Sequence, residues 1–348
     1  MRKILAVLTI LIIGSASATA DDAARAQLAG KTIDVIVAFS NSGGGARFWA
    51  IYAEALRRQL PDTTIRARFN DAGSGSSAAN ELFDLPEGAI GVGFVRPAEL
   101  AFAQTEGRED VDFDLRKVKW IEAVERETHF MAGRKGLPTS AEELREVPLI
   151  IPSNAVSDTN SIIAALLNAV TGMHGRIVIG FNNADRLRAL IAGDGDMYTQ
   201  ATDREIMTLL EAGEITSVYV IEGDDLPANV DTSKTLQTFL VDGAPRLVVD
   251  YIIAARTLGR AFYAAPGVSD ADVAALRSVF QDAMSDPVFV AEAERQTVPI
   301  AHVPHNEVES KMSMLLLEDP ALKAAVDHAY QCGLAMSAGT LESCDFAQ

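Results

Sequence analysis

Residues 33–47, IDVIVAFSNSGGGAR, constrain this chain more than any other stretch. Ile33, Val35 and Val37 alternate with Asp34, Ile36 and Ala38 in a β-branched run of strand length. Ser40, Asn41 and Ser42 follow, then Gly43, Gly44 and Gly45, and from Phe48 to Leu56 apolar residues recur at helical spacing. The expected order is therefore strand, tight loop, helix. Glycines allow a bound group to approach the backbone, and the first helical turn presents unpaired N–H groups at the positive end of a dipole. Such a corner is a seat for an anion, and a carboxylate suits it.

The first twenty residues read as an address. Arg2 and Lys3 precede an apolar run from Ile4 to Ile13, too short to span a bilayer, and Ala18-Thr19-Ala20 fits a small-x-small cleavage site. A secretory signal cleaved after Ala20 is expected, with delivery to the periplasm. With Arg2 and Lys3 removed, 28 basic residues stand against 48 acidic ones, a net charge of −20. Nucleic acid is excluded as a partner, because phosphate binding needs a basic face; a small anion is not, since a few local donors decide that. Cys332 and Cys344 are the two cysteines, close together in an oxidising compartment. They read as a disulfide closing a short loop, with an entropic contribution on the order of 3 kcal/mol.

Strand–helix alternation continues past the first corner. Residues 63–69 read as a second strand, 70–77 as a polar glycine-containing loop and 89–95 as a third strand, with Arg96-Pro97 opening another helix. This order implies a parallel sheet. Ligands collect outside the carboxyl ends of such strands, so the loops at 40–45, 72–76 and Arg96 should open on one edge. Arg47 or Arg96 at that edge would pair with a carboxylate in two-pronged fashion. A capping box is expected at Thr139 and Glu142. Residues 147–221 repeat the alternation as a second α/β unit. The chain then returns through a strand at 258–264 that bears Arg260, and ends in helices expected to pack on the first unit. The architecture expected is α/β and two-lobed, with residues 21–128 plus 258–348 forming one lobe and 129–257 the other, closing over a ligand by hinge motion.

The order and spacing of several segments resemble the substrate-binding proteins of tripartite tricarboxylate transporters, the Bug family, which have the type II periplasmic binding protein fold. Residues 33–45 stand where that family has an apolar strand ending in a Pro-Phe-x-Ala-Gly-Gly-like loop. Residues 70–76 are similar to its Asn-x-x-Gly-Ala-Gly-Gly loop, and 178–197 (VIGFNNADRLRALIAGDGDM) to its Tyr-Lys-Gly segment with a later Gly-Gly-x-Val-Asp. Ala264-Ala265-Pro266-Gly267, Leu276 and Asp286-Pro287 look like its Ala-Pro-x-Gly, long helix and Asp-Pro. The resemblance covers nearly the whole mature chain. It implies capture of a small organic carboxylate and delivery to membrane transporter subunits by a monomeric protein without a cofactor. Carried over position by position, it points to Ser40, Asn41, Ser42, Gly43, Gly44, Ser74, Gly75 and Ser76 in the first lobe. In the second it points to Ser153, Ser157, Asn182 and Asp196. The chain departs from the pattern at Ser40–Ser42, at Arg47 and at Asn182-Asn183.

Other chemistries fit less well. Residues 73–78 (GSGSSA) match a dinucleotide fingerprint, but after the second strand and in a compartment poor in nicotinamide cofactors. His302-x-x-His305 with Glu307 has Pro304 breaking the helix that metal ligation would need. No Gly-x-Ser-x-Gly elbow or His-Glu-x-x-His is present, and nothing pairs a nucleophile with a base, so neither catalysis nor metal is expected. Asp158 and Asp203 read as helix caps. The alternatives are a ligand-sensing component of a signalling system and, further off, an exported hydrolase.

Overall fold

The computed structural model describes residues 20–86, 88–155, 158–223 and 225–346. The expected leader, apart from Ala20, lies outside these residues, as does Ser157. After α1 (Ala20–Leu28) the chain alternates through β1 (Thr32–Val37), α2 (Gly44–Gln59), β2 (Thr64–Phe69), α3 (Ser76–Phe83), β3 (Ile90–Val95) and α4 (Pro97–Thr105). β1 pairs in parallel with β2 on one side and β3 on the other, so these strands end at a common edge. β4 (Lys119–Ala123) leads out of this region.

A second region follows, with β5 (His129–Arg134), α5 (Ala141–Glu146), β6 (Leu149–Pro152), α6 (Thr159–Thr171), β7 (Gly175–Val178), α7 (Asn183–Ala192), β8 (Met197–Ala201), α8 (Arg204–Glu211) and β9 (Ile215–Glu222). α9 (Arg246–Thr257) brings the chain back to β10 (Ala261–Ala264), followed by α10 (Asp270–Met284), α11 (Pro287–Gln296), β11 (Val303–Pro304), α12 (His305–Leu315) and α13 (Pro320–Ser337).

The strands form two groups. A six-stranded sheet runs β11-β4-β10-β3-β1-β2, with β10 and β11 antiparallel to their neighbours. The second group comprises the antiparallel β8-β5-β9 and the parallel pair β6-β7. Two extended crossovers, 124–128 and 257–260, join the groups side by side. The Val124 amide donates to the Arg260 carbonyl at 2.9 Å and the Glu127 amide to Thr257 at 3.3 Å.

The core of the first lobe is aromatic. Phe94 of β3 stacks on Phe262 of β10 at 4.4 Å, and α2 lays Phe48 and Tyr52 over them, with Phe280 and Phe289 from α10 and α11 meeting them edge-on. Phe48 and Trp49 are thus core residues, as their helical spacing suggests. β2 is the exposed edge. Its Arg66 is tied to Asp34 and its Arg68 to Glu81, and charge along an edge discourages pairing with another chain.

The local signals mostly hold. Asp158, Asp203 and Ser269 cap α6, α8 and α10. The box expected at Thr139 sits one residue later: Ser140 accepts the Glu143 amide and donates to the Glu143 carboxylate, while Thr139 receives Lys234 Nζ at 2.7 Å. Cys332 and Cys344 are bridged.

The C-terminal helices differ from expectation. α10 and α11 pack on α2, in the first lobe, but α13 crosses over and packs along α6 and β7 in the second. The reason is a small-residue face. An ideal Cβ on Gly333 would lie 1.8 Å from the Ala165 carbonyl oxygen, so only glycine permits this approach.

Two predictions follow from these contacts. Gly333→Ala should cost about 3 kcal/mol or more, since the obstructing atom is backbone; a melting midpoint like the parent's would show that the helices can part cheaply. The second concerns buried Glu122. Tyr52 Oη lies 2.7 Å from its Oε1 and 2.9 Å from the Phe280 carbonyl, two acceptors for one phenolic hydrogen. A protonated Glu122 donating to Tyr52 resolves this, and burial does push its carboxyl up. His302 Nε2 lies 3.3 Å from its other oxygen, Oε2. A folded-state value above the unfolded one means that the native state holds an extra proton. Its stabilisation is complete below the ordinary glutamate value of about 4.3 and fades as pH rises through the folded value. Glu122→Gln should therefore flatten the fall in melting temperature as pH rises above about 4.3; an equal or steeper fall would refute the neutral carboxyl.

Candidate functional site

The corners after β1, β2 and β3 lie on one edge of the six-stranded sheet, as the parallel order requires. The Ala38 amide donates to the Phe94 carbonyl and that of Asn70 to Val37, which locks the three strand ends together. The first two corners touch: a Cβ on Gly75 would lie 3.3 Å from Ala38 Cβ. At the second corner Gly73, Ser74 and Gly75 all have positive φ, of 62°, 57° and 96°. For Ser74 this is strained, at a cost of about 1–2 kcal/mol, and strain of this kind gathers at functional sites. Ser76 is buried in the first turn of α3.

At the first corner the glycines serve different ends. A Cβ on Gly45 would enter the Phe39 ring at 2.3 Å, and one on Gly43 would press Ser40 Oγ at 3.1 Å. Gly44 alone faces free space, with Arg260 Nη1 3.8 Å and Arg47 Nη2 4.0 Å from its Cβ position. Gly43 caps α2 without a side-chain acceptor, and the first turn holds no acid. Ser40, Asn41 and Ser42 form the exposed rim. Arg47 is exposed and makes no side-chain hydrogen bond or ion pair among the described residues, although a cation beside a helix N-terminus is unfavourable. A helix end and two guanidiniums thus converge at the Gly44 face, with no acceptor near it among the described residues.

The edge continues into charges between the lobes. Arg96 caps α4 by position and gives Nη1 to Glu127 Oε1 at 2.7 Å, with Glu99 at 3.9 Å; Glu127 drives its guanidinium still further up. Arg96 is therefore committed within the protein. Arg256 is buried, donating to the Thr159 carbonyl and Asn160 Oδ1, and burial lowers it to about 10. Arg186 lies 5.2 Å over the Tyr198 ring. Burial raises the Glu99 carboxyl and holds His129 neutral.

The second-lobe expectations need correction. Ser153 has no exposed surface, and its hydroxyl is spent on Ser161 at 2.6 Å. Asp196 is a splice between sheets: its carboxylate takes Arg134 Nε and the Ile150 amide, both at 2.7 Å, and its own amide donates to Ile150. Both side chains thus have partners within the protein. Asn182 is exposed but caps α7 by accepting the Asp185 amide. The sequence places Arg260 on the returning strand without assigning it a role, and gives no sign of Arg256 or Arg186. The available signal was a charge inside an apolar strand, LGRAFYAA, where an arginine needs a partner. Surface hollows of about 330 Å³ beside Asp34 and Arg66 and of about 340 Å³ between Lys135 and Lys234 lie elsewhere; Asp34 and Arg66 pair with each other, Lys135 with Glu214 and Lys234 with Thr139.

Two α/β lobes joined by strand crossovers, with glycine corners at one edge of the six-stranded sheet, make up the fold of type II periplasmic binding proteins. Solved structures place it further. The chain is similar to a TctC solute-binding protein from Polaromonas (TM-score 0.68, 15% identity, covering 85% of this chain and 98% of that one). It is similar to the periplasmic binding protein BugD (0.58, 13%, 86% and 97%) and to an R. palustris protein solved with adipate (0.57, 16%, 85% and 97%). At these identities the likeness establishes the fold. No protein-family model matches the chain, and no curated protein matches its sequence.

Arg47 separates binding from stability. Arg47→Gln removes a cation from the positive end of α2, so stability should hold or rise by about 0.3–1 kcal/mol, while affinity for an anionic ligand falls. A loss of stability with unchanged affinity would place Arg47 outside the site.

Proposed function

We propose that this protein is a periplasmic solute-binding protein of the tripartite tricarboxylate transporter type. It captures a small organic carboxylate between its lobes and hands it to membrane transporter subunits. The observation that carries this reading is the first turn of α2: free amides at Gly44, flanked by Arg47 and Arg260, with no acceptor near them among the described residues. A carboxylate supplies the missing charge and lone pairs at once. Ser40, Asn41, Ser42 and Gly43 would rim the seat, and Ser74, Gly75 and Ser76 would close its second side. The adipate complex among similar structures is consistent with a ligand of this class.

In this reading residues 1–20 are removed on export, and the mature protein acts as a monomer without catalysis. The lobes are residues 21–128 with the returning chain from 258, and residues 129–257, with α13 reaching across as a strap. Among the described residues no helix is long and apolar enough to cross a membrane, and no group of acids, histidines or cysteines is arranged to hold a metal ion.

The direct test is a thermal-shift screen of mono-, di- and tricarboxylates with amino acids as controls, because a ligand specific for the folded state raises its midpoint by mass action. The acid found should bind Gly44→Leu at least about a hundredfold more weakly in calorimetry, with the fold retained, since the leucine fills the space between the guanidiniums and the amides. No shift with any acid, or full affinity in Gly44→Leu, would overturn the proposal.

A further inference from the structure

Arg260 touches the hinge and the anion seat at once. Its Nε donates to Glu125 Oε2 at 2.6 Å in a pair almost closed to solvent, 6% and 9% exposed. Glu125 belongs to the outgoing crossover and Arg260 to the returning one, where its carbonyl accepts the Val124 amide. The guanidinium lies 5.3 Å from the Phe48 ring centroid, and Nη1 lies 3.8 Å from the Cβ position of Gly44. One side chain therefore runs from both crossovers to the first turn of α2.

The hinge is shaped around this pair. A Cβ on Gly259 would meet the Glu125 carbonyl oxygen at 2.8 Å and its Cβ at 2.9 Å, so the carboxylate can lie against the returning strand only where a glycine stands. Among the described residues Nη1 and Nη2 make no hydrogen bond, in a side chain more than nine-tenths buried. These two donors are the part of the guanidinium left to solvent, and they remain open to an acceptor. The nearest place for an acceptor is the face of Gly44, where the α2 amides lack one too.

We propose that Arg260 is a positioning residue that transmits occupancy of the α2 seat to the hinge, an inference that rests on the anion-binding reading of that seat. An anion there bonds to the Nη donors and gains contact with a side chain whose place depends on the hinge angle. Glu125 holds the other end of the guanidinium, so the outgoing strand is drawn with the returning one. A ligand shifts a conformational equilibrium only through contacts that differ between its states, and this is such a contact. Arg47, on α2 itself, moves with the seat and contributes affinity without direction.

Hydrogen exchange read by mass spectrometry tests this on the full mature chain, with succinate, adipate and citrate supplied together at millimolar concentration. In the parent, added acid should slow exchange both at residues 44–47 and at the crossovers 124–128 and 257–260. In Arg260→Met the first protection should persist and the second vanish, with apparent affinity lowered about 5- to 150-fold. Arg260→Lys should behave like Arg260→Met, because one ammonium cannot hold Glu125 and reach the seat together. Should Arg260→Met fail to fold, Glu125→Gln replaces it: its amide still accepts from Nε without the charge, and hinge protection should again fall while seat protection stays. Hinge protection equal to the parent's in these variants would overturn the proposal. A parent that shows protection nowhere would instead overturn the anion-binding reading beneath it.

Discussion

The site depends on β1 lying between β2 and β3, parallel to both. Parallel pairing puts the carboxyl ends of neighbouring strands on one edge, and each strand must then leave through a corner there. The Ala38–Phe94 and Asn70–Val37 hydrogen bonds extend the ladder one residue past the strands, so the corners inherit the rigidity of the sheet. From that constraint the rest follows. Gly75 packs against Ala38, and α2 begins at the same edge with no side-chain cap on its first turn.

How far this was legible in the sequence depended on the range of the signal. The strand–glycine–helix corner, the caps at Asp158 and Ser269 and the disulfide are written in a few adjacent residues, and each is found where the pattern puts it. The second-lobe contacts were not legible, because their fate is decided by distant partners. Nothing near Asp196 announces that Arg134 and the Ile150 amide will take both of its oxygens. Ser153 looks like a loop hydroxyl until Ser161 closes over it. α13 misled for a related reason: its position late in the chain suggested the first lobe, whereas the determinant is the missing side chain at Gly333 against the Ala165 carbonyl.

Electrostatics separates the molecule's overall charge from its site. A chain at −18 keeps anions away at long range, more so in dilute salt. At the α2 corner the sign reverses over a few ångströms, through a helix end, Arg47 and the outer nitrogens of Arg260. Between the lobes, by contrast, charges are matched. Arg96 answers Glu127 and Glu99, and Arg256 stands among Asp158, Glu127 and Glu99. Matched charge rewards correct apposition of the lobes without binding anything, whereas unmatched charge must be completed from outside. On this ground Arg96, though exposed at the edge, differs from Arg47: the first is paired with Glu127, and the second makes no side-chain pair among the described residues.

The same distinction clarifies the buried Arg260–Glu125 pair. A buried ion pair is a poor stabiliser, since desolvation cancels most of its attraction and apolar residues of similar size would do as well. What such a pair offers is geometry, a fixed link between two strands and a direction for the remaining donors. The crossovers need such a link because each is a single extended segment, joined to the other by few backbone hydrogen bonds. α12, packed on β4 and α4, continues into α13, packed on α6 and β7, and so makes a third passage between the lobes. That strap ties the lobes a third time, so any change in how they sit must be taken up at 124–128, at 257–260 and at the α12–α13 junction together, and the Arg260 guanidinium lies against two of these three segments.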